Sequence, residues 1–415
     1  MRTHNHDAPA ISVADAVRLI LSSVGGPAGL ETIPVVDALG RRVASDMASP
    51  LSSPPFDNSA MDGFAIVHPG SGATAPFTVT GLARAGAPFD GAVGAGEAVK
   101  IMTGARVPSG ADTVVMKEWC SEKGGRVTMN ALPECGANVR RAGEDIRQGT
   151  VVMRAGMAAG PVELAALATM GHDRVGVFRR PVVSIITTGT ELCTPGQALG
   201  GDQIYDSNSR SLAALARLCG AEPRLHGIAS DEPGQVAARI GEASGSDVIV
   251  TTGGVSVGDY DFVKAETRAL GCEEVFWGVA MRPGRPAFFG LLGGKPVFGL
   301  PGNAVSSMVT FEVLVKPAVL KLGGDTAPVK RPWRVRLARD VRKKKGVEQY
   351  VRARVTQGPD GMLMAEPAGG QGSHQVFGMG GSNALCVIPA EADMMGAGSM
   401  ADAYPFGSIG FCVDI

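Results

Sequence analysis

The sequence predicts an α/β protein of several domains, in which a doubly wound α/β domain is accompanied by β-rich domains. Three observations carry that expectation. The 415 residues exceed what one hydrophobic core usually serves, about 250–300 residues, and imply two to four domains. Between residues 180 and 326, wholly apolar runs alternate with helical periods, the pattern of a parallel sheet covered on both faces. Within residues 48–145 and 327–415, short apolar runs are broken by Gly and Pro and no long helical period survives.

Taken in order, residues 12–24 (SVADAVRLILSSV) place Val13, Ala16, Val17, Ile20 and Leu21 on one helix face, with Ser12 as N-cap. Residues 48–145 read as a β-rich insertion domain, with runs such as Phe77–Val79 and Thr113–Met116. Residues 1–47 and 146–179 flank it as one discontinuous helical and linker domain. A helix at 160–171 starts near Pro161 and ends before Gly171. In the α/β domain, 180–326, VVSIITT is a strand and SNSRSLAALARLCG a capped helix closed by Gly220. PGQVAARIGEAS is a helix, DVIVTT a strand, 262–270 a helix and KPVFGL a strand, followed by a long helix from about Asn303. In the C-terminal domain, 327–415, WRVRLARDV, EQYVRARV, GMLMAEP, ALCVIPA and SIGFCVDI read as strands of a small antiparallel sheet or barrel. The run Arg342–Lys345 before Gly346 reads as a solvated hairpin turn.

Composition narrows the function. The 58 Gly and 27 Pro make about a fifth of the chain, below the roughly 25–30 % of low-complexity segments. Lys and Arg total 39 against 40 Asp and Glu, so no basic field exists for nucleic acid or an anionic membrane. Seven Cys, an odd number without a C-x-x-C spacing, fit neither a disulfide framework nor a zinc ribbon. Reduced thiols, a polar start without a signal-peptide core and no long apolar span lead us to expect a cytoplasmic protein with no membrane or nucleic-acid partner.

Three polar, Gly-rich loops directly follow apolar strands: 187–192 (TTGTEL), 251–261 (TTGGVSVGDYD) and 299–307 (GLPGNAVSS). In open parallel sheets, ligands bind at the carboxyl ends of strands near a topological switch point. Glycine admits a ligand to the backbone, and N–H groups at a helix start attract anions. Together the loops imply a ligand bearing phosphate or another oxyanion. No G-x-G-x-x-G follows a strand, and Phe289 and Pro296 break any Walker A pattern around Lys295. Carboxylates crowd the same regions: Asp57, Asp62, Glu144, Asp145, Glu191, Asp206, Asp231, Asp259 and Asp261. Beside anion-binding loops they require a cation, and Mg²⁺ divides its coordination between a few protein oxygens and several ligand oxygens. Spacing alone leaves each Asp open as metal ligand or turn former. In RPGRP, residues 282–286, the prolines fix the backbone while Arg282 and Arg285 suit bidentate contact with an oxyanion. His68, His172, His226 and His374 stand in unrelated contexts, so no Ser-His-Asp arrangement is evident.

The segments PPFDNSAMDGFA, IMTGARVPSGADTVVMKE, AGEDI, TTGTEL, YDSNS, TTGGVSVGDYDFVK, RPGRP and GLPGNAVSS follow one another over residues 54–307, with GSH at 372–374 beyond them. Over essentially its whole length the chain thereby resembles the MoeA family, the molybdopterin molybdenumtransferases of molybdenum cofactor synthesis, related to the gephyrin E domain. The resemblance implies an elongated homodimer of four-domain subunits, with an α/β domain similar to the molybdopterin adenylyltransferase acting one step earlier. It implies Mg²⁺-assisted cleavage of the phosphoanhydride in adenylylated molybdopterin, release of AMP and transfer of molybdenum from molybdate to the dithiolene sulfurs. The catalytic positions would be Asp57, Asp145, Glu191, Asp261, Arg282 and Arg285. Gly253, Gly254, Ser256 and Gly258 would line the nucleotide and pyrophosphate side, faced by Pro301, Gly302, Asn303 and Ser306. Glu191, Asp231, Asp259 and Asp261 would hold Mg²⁺ or order water. Arg282, Pro283 and Arg285 would meet molybdate or phosphate, and Arg352 and Ser373 would complete the pterin side. Asp57, Thr103 and Asp145 would come from the partner's β-rich domain. The adenylyltransferase and molybdoenzyme maturation proteins are further expected partners. The chain departs from the family pattern at Gly278 and Arg282, where many members carry Lys, and at Ala304, where many carry Pro. Two other functions compete: adenylyl transfer or nucleotide pyrophosphate hydrolysis, which would not need the 48–145 insertion, and a non-catalytic cofactor-binding scaffold.

Overall fold

The computed structural model describes residues 10–70, 75–254 and 262–407. It divides into two compact units, one of Ile33–Leu39 with Ser45–Val175, the other of Met1–Thr32, Gly40–Ala44 and Gly176–Ile415.

Helix α1 (Val13–Ser23) opens the larger unit. Ser12 Oγ accepts from the Asp15 N–H at 3.0 Å, the expected cap, and Ala16 and Ile20 form the buried face. The smaller unit is built on six strands: β1 (Gly63–Ile66), β2 (Phe77–Ala83), β3 (Glu97–Ile101), β4 (Thr113–Met116), β5 (Cys120–Lys123) and β6 (Arg126–Met129). They form one sheet in the order β4-β1-β3-β2-β6-β5, antiparallel except for β2 against β3. Alternation along β1 sends Phe64 and Ile66 into one apolar cluster and Ala65 into another. Helix α2 (Pro161–Thr169) follows, with Pro161 in its first turn and Gly171 at φ +81° beyond its end.

The α/β domain runs β7 (Val182–Thr188), α3 (Asn208–Leu218), β8 (Glu222–Ala229), α4 (Gln235–Glu242), β9 (Val248–Thr252), α5 (Phe262–Ala269), β10 (Glu273–Trp277), β11 (Phe288–Leu292), β12 (Lys295–Leu300), α6 (Ala304–Thr310) and α7 (Lys316–Leu322). The sheet order is β8-β7-β9-β12-β11-β10. The first four strands are parallel, as expected, whereas β11 and β10 add an antiparallel edge that the sequence reading missed. Its signal lay in Gly293-Gly294 between β11 and β12, a two-residue hairpin with both φ angles positive, +56° and +78°. One apolar cluster packs α1, α3, α6 and α7 on one face, and Val236, Ile240 and Val263 of α4 and α5 cover the other. Two details refine the expectation. The cap of α3 comes from Asp206, whose Oδ1 accepts from the Ser209 N–H at 3.0 Å, while the Ser207 side chain makes no cap bond. The long helix from Asn303 is broken by a π-helical turn, Phe311–Val315, between α6 and α7.

The last domain is a closed barrel of β13 (Trp333–Leu337), β14 (Glu348–Gln357), β15 (Leu363–Pro367), β16 (Ala384–Ile388) and β17 (Met400–Pro405). The order is β14-β15-β13-β17-β16, and β16 pairs back onto β14. Small inward residues, among them Ala353, Ala365, Cys386 and Ala403, fill so narrow a barrel. Strand β17 was not expected, because its Ala residues and closing Pro carry little strand propensity. The expected strand SIGFCVDI, 408–415, lies outside the described residues. In the 342–345 run, Lys343 Nζ turns back to the Val347 carbonyl at 2.9 Å and Lys345 pairs with Asp393 at 3.4 Å. No described helix is long and apolar enough to cross a membrane.

Candidate active site

The strand order reverses between β7 and β9, because β8 lies beyond β7 on one side and β12 beyond β9 on the other. The three Gly-rich loops leave the carboxyl ends of β7, β9 and β12, where such a sheet binds ligands. Thr252, the last residue of β9, joins them. Its Oγ1 donates to the Pro301 carbonyl at 3.0 Å and accepts from Asn208 Nδ2 at 2.9 Å. The same Asn208 amide donates to the Gly302 carbonyl at 2.7 Å, and the Gly253 N–H donates to the Leu300 carbonyl at 3.1 Å. Gly253 stands at φ +95°, and a Cβ there would drive into the Thr188 carbonyl oxygen. A Cβ on Gly302 would lie 3.5 Å from the Gly253 Cα. These glycines therefore let loop backbones stack closely on one another. Thr252 and Asn208 were not singled out from the sequence; the only trace was YDSNS ahead of a helix.

In the first loop, the Thr190 N–H and Oγ1 donate to Asp231 Oδ2 at 3.1 and 3.2 Å. Glu191 is exposed and its carboxylate engages no described residue. Asp206 is structural, accepting from Thr187 Oγ1 at 3.2 Å as well as capping α3. Among the described residues no three His, Cys, Asp or Glu side chains are gathered as a metal centre. Ser256, Gly258, Asp259 and Asp261 lie outside the described residues.

The facing wall begins at the start of α6. Asn303 does not cap its helix; its Nδ2 donates to Ser373 Oγ at 3.2 Å, and the Val305 N–H donates to the Ser373 carbonyl at 3.2 Å. Ser306 is buried beside them. The segment leading to Ser373 wraps Arg352 of β14. Gln371 Oε1 accepts from the Arg352 N–H at 3.1 Å, and Arg352 Nη2 donates to the Gly370 and Gly372 carbonyls. Arg352 is 1 % exposed, yet its Nε and Nη1 have no hydrogen-bond partner among the described residues. Burial pulls its pKa below the usual guanidinium value. Left so, a buried cation with free donors is costly, and an oxyanion is the group that would answer it. RPGRP runs alongside: Met281 and Arg282 pair in parallel with Glu348 and Gln349 of β14. Gly284, at φ +110°, lies so close to Thr310 that a Cβ would strike its hydroxyl. Arg282 and Arg285 are exposed, Pro283 is half-buried between them, and neither guanidinium engages a described residue.

The remaining expected residues belong to the smaller unit. Asp57 accepts from the Ala142 N–H at 2.8 Å and from Arg141 Nη1 at 2.7 Å. These bonds, the backbone one foremost, hold its carboxyl below the usual range. The Thr103 N–H and Oγ1 donate to Asp62 Oδ1 at 2.8 and 2.9 Å, and Lys117 pairs with the same carboxylate at 3.2 Å. Asp145 is exposed in a turn whose N–H donates to the Ser53 carbonyl at 3.1 Å.

Three family models match successive parts of the chain. They are the MoeA N-terminal region (domain I and II) at residues 11–171, a probable molybdopterin binding domain at 184–321, and the MoeA C-terminal region (domain IV) at 334–406. A molybdopterin molybdenumtransferase of Haemophilus influenzae is 35 % identical over 393 residues, 94 % of this chain and 97 % of that protein. The chain belongs to the MoeA family. A Bacillus subtilis member of the same name is 36 % identical over 86 % of both chains. Two structures of a MoeA molybdopterin biosynthesis protein from Pyrococcus horikoshii share the fold at TM-scores of 0.82 and 0.81, with 30 % and 27 % identity. Each match covers 96 % of this chain and all of that one.

The structure shows two further features of this MoeA chain. Gly278 adopts φ +82°, a conformation that costs any L side chain about 1–2 kcal/mol. The structure also brings together a Ser-His-Glu array that the sequence hid. Ser184 Oγ lies 2.7 Å from His226 Nε2, and His226 Nδ1 lies 3.8 Å from Glu242. Ser184 is fully buried in β7 and also bonds Ser246 Oγ at 2.5 Å, so this array ties strands together and meets no substrate.

Proposed function

We propose that this chain is a molybdopterin molybdenumtransferase that takes adenylylated molybdopterin and molybdate and releases AMP. The single observation carrying the reading is Arg352, a buried cation with two unused donors, set beside Ser373 and Asn303 at the ligand-binding end of an α/β sheet. The names of the relatives support the same activity.

Gly253, Gly254, Pro301, Gly302 and Ser306 hold the nucleotide and pyrophosphate. Arg352, with Ser373, Arg282, Pro283 and Arg285, receives the molybdate oxyanion, the fixed Arg352 through one charge-assisted hydrogen bond and the exposed arginines by charge. The unengaged Glu191 carboxylate and Asp231 Oδ1 are hard oxygen donors that suit Mg²⁺, with Asp259 and Asp261 as further ligands; the ion would neutralise charge on the phosphoanhydride. The protein's contribution is positioning and preorganised charge. Asp57, Thr103 and Asp145 act from the partner subunit of a homodimer working in the cytoplasm. Asp57, held below the usual carboxyl pKa by the Ala142 N–H and Arg141, stays ionised at neutral pH.

The test is incubation with adenylylated molybdopterin, molybdate and Mg²⁺, following AMP. Molybdate-dependent AMP release is expected. Unchanged substrate, or AMP release indifferent to molybdate, refutes the proposal.

A further inference from the structure

A cavity of about 190 Å³ lies in the larger unit where α1, the π-turn, α7, the segment 328–331 and the barrel strands β14, β16 and β17 meet. It shares no residue with the candidate active site. Val17 of α1, Val313 of the π-turn and Leu385 of β16 give it apolar walls.

The π-turn shapes it. Phe311, Leu314 and Val315 stay in the common core, while Glu312 and Val313 line the cavity. Such turns are rare and recur at functional sites. The Glu312 side chain is only 9 % exposed and pairs with Lys316, four residues on. Burial raises its carboxyl pKa and Lys316 opposes the rise. An ion pair against apolar walls carries a desolvation cost that a purely packing surface would avoid.

Charge then selects the ligand. Lys316, Lys330 and Arg331 line the cavity against a single carboxylate, Glu312. Lys330 is held by Asp325 at 2.5 Å and by the Ala327 carbonyl at 3.0 Å, whereas the exposed Arg331 guanidinium engages no described residue. Size limits the ligand as well. A dry cavity of about 150 Å³ holds benzene, so this one has room for one ring or branched chain with a small polar group.

We propose that the cavity binds a small monocarboxylate with an aromatic or branched apolar body, its carboxylate between Lys316 and Arg331 and its apolar end against Val17, Val313 and Leu385.

The test is calorimetric titration of the full-length protein with phenylacetate, isovalerate and benzylamine. At least one of the two acids should bind saturably at one site, and benzylamine, of opposite charge, should bind at least about tenfold more weakly. Arg331→Glu, on the surface, should weaken acid binding about tenfold without altering the circular dichroism or the melting temperature. Val17→Trp should fill the cavity and abolish binding; should it unfold the protein, Arg331→Glu alone decides. Molybdate should not compete. The proposal falls if neither acid binds, if benzylamine binds as tightly, if Arg331→Glu leaves affinity unchanged, or if molybdate displaces the acid.

Discussion

Arg352 is the largest fully buried side chain of the described residues. The described residues around it supply carbonyls from Gly370 and Gly372 for one nitrogen and nothing for Nε or Nη1. If those donors are kept for an oxyanion, Arg352→Met should leave the ligand-free protein as stable, or raise stability by about 1–2 kcal/mol, because an uncompensated buried cation is removed. The same variant should raise the molybdate concentration needed for AMP release more than about tenfold, the worth of one charge-assisted bond. Urea denaturation and molybdate titration check the two arms. Marked destabilisation with normal molybdate dependence would reduce Arg352 to a clamp for the 368–373 segment. The sequence marked Arg352 only through a resemblance, because burial of one side chain in a closed barrel has no local signature. Gly253 was legible from TTGG, whereas Thr252 and Asn208 matter only because three loops cross at them.

Among elements, α3 shows how a motif and its role can separate. Asp206 was counted with the site carboxylates, yet it satisfies the Ser209 N–H at the start of α3 and the Thr187 hydroxyl. Asp206→Ala should therefore cost about 1–2 kcal/mol of stability, measured by urea denaturation, through loss of the cap and of a buried hydrogen bond. A stability loss within error, with activity abolished, would return Asp206 to the chemistry. Strands β7, β9 and β12 were readable because strands buried on both faces are apolar throughout. Strands β10, β11 and β17 were not. The first two flank RPGRP, whose prolines read as loop, and β17 is an Ala-rich strand held by its barrel neighbours on both edges.

For the whole molecule, the shared core decides cooperativity. Tyr350, Leu385 and Phe406 from the barrel region join the same apolar cluster as Leu212, Phe289 and Val309 of the α/β domain. The barrel and the α/β domain should therefore unfold together. Two buried thiols report on them separately: Cys386 inside the barrel, pushed up to about 12 by burial, and Cys272 beside the α/β sheet, pushed up to about 11. Both should resist iodoacetamide at pH 8 in the native state and become alkylated over the same range of urea. Labelling of Cys386 at distinctly lower urea would show a barrel that opens alone. Taken by itself, the sequence determined the α/β class, the β-rich flanks and the three Gly-rich loops at the ends of the apolar strands. Each of these is written in local periodicity, in Gly and Pro positions or in adjacent residue types. Only the tertiary structure decided that Asp206 caps a helix, that Arg352 is a buried cation with free donors and that a cationic cavity lies under the π-turn. Those properties arise from residues far apart in sequence, and burial and hydrogen-bond satisfaction have no value until the chain has brought them together.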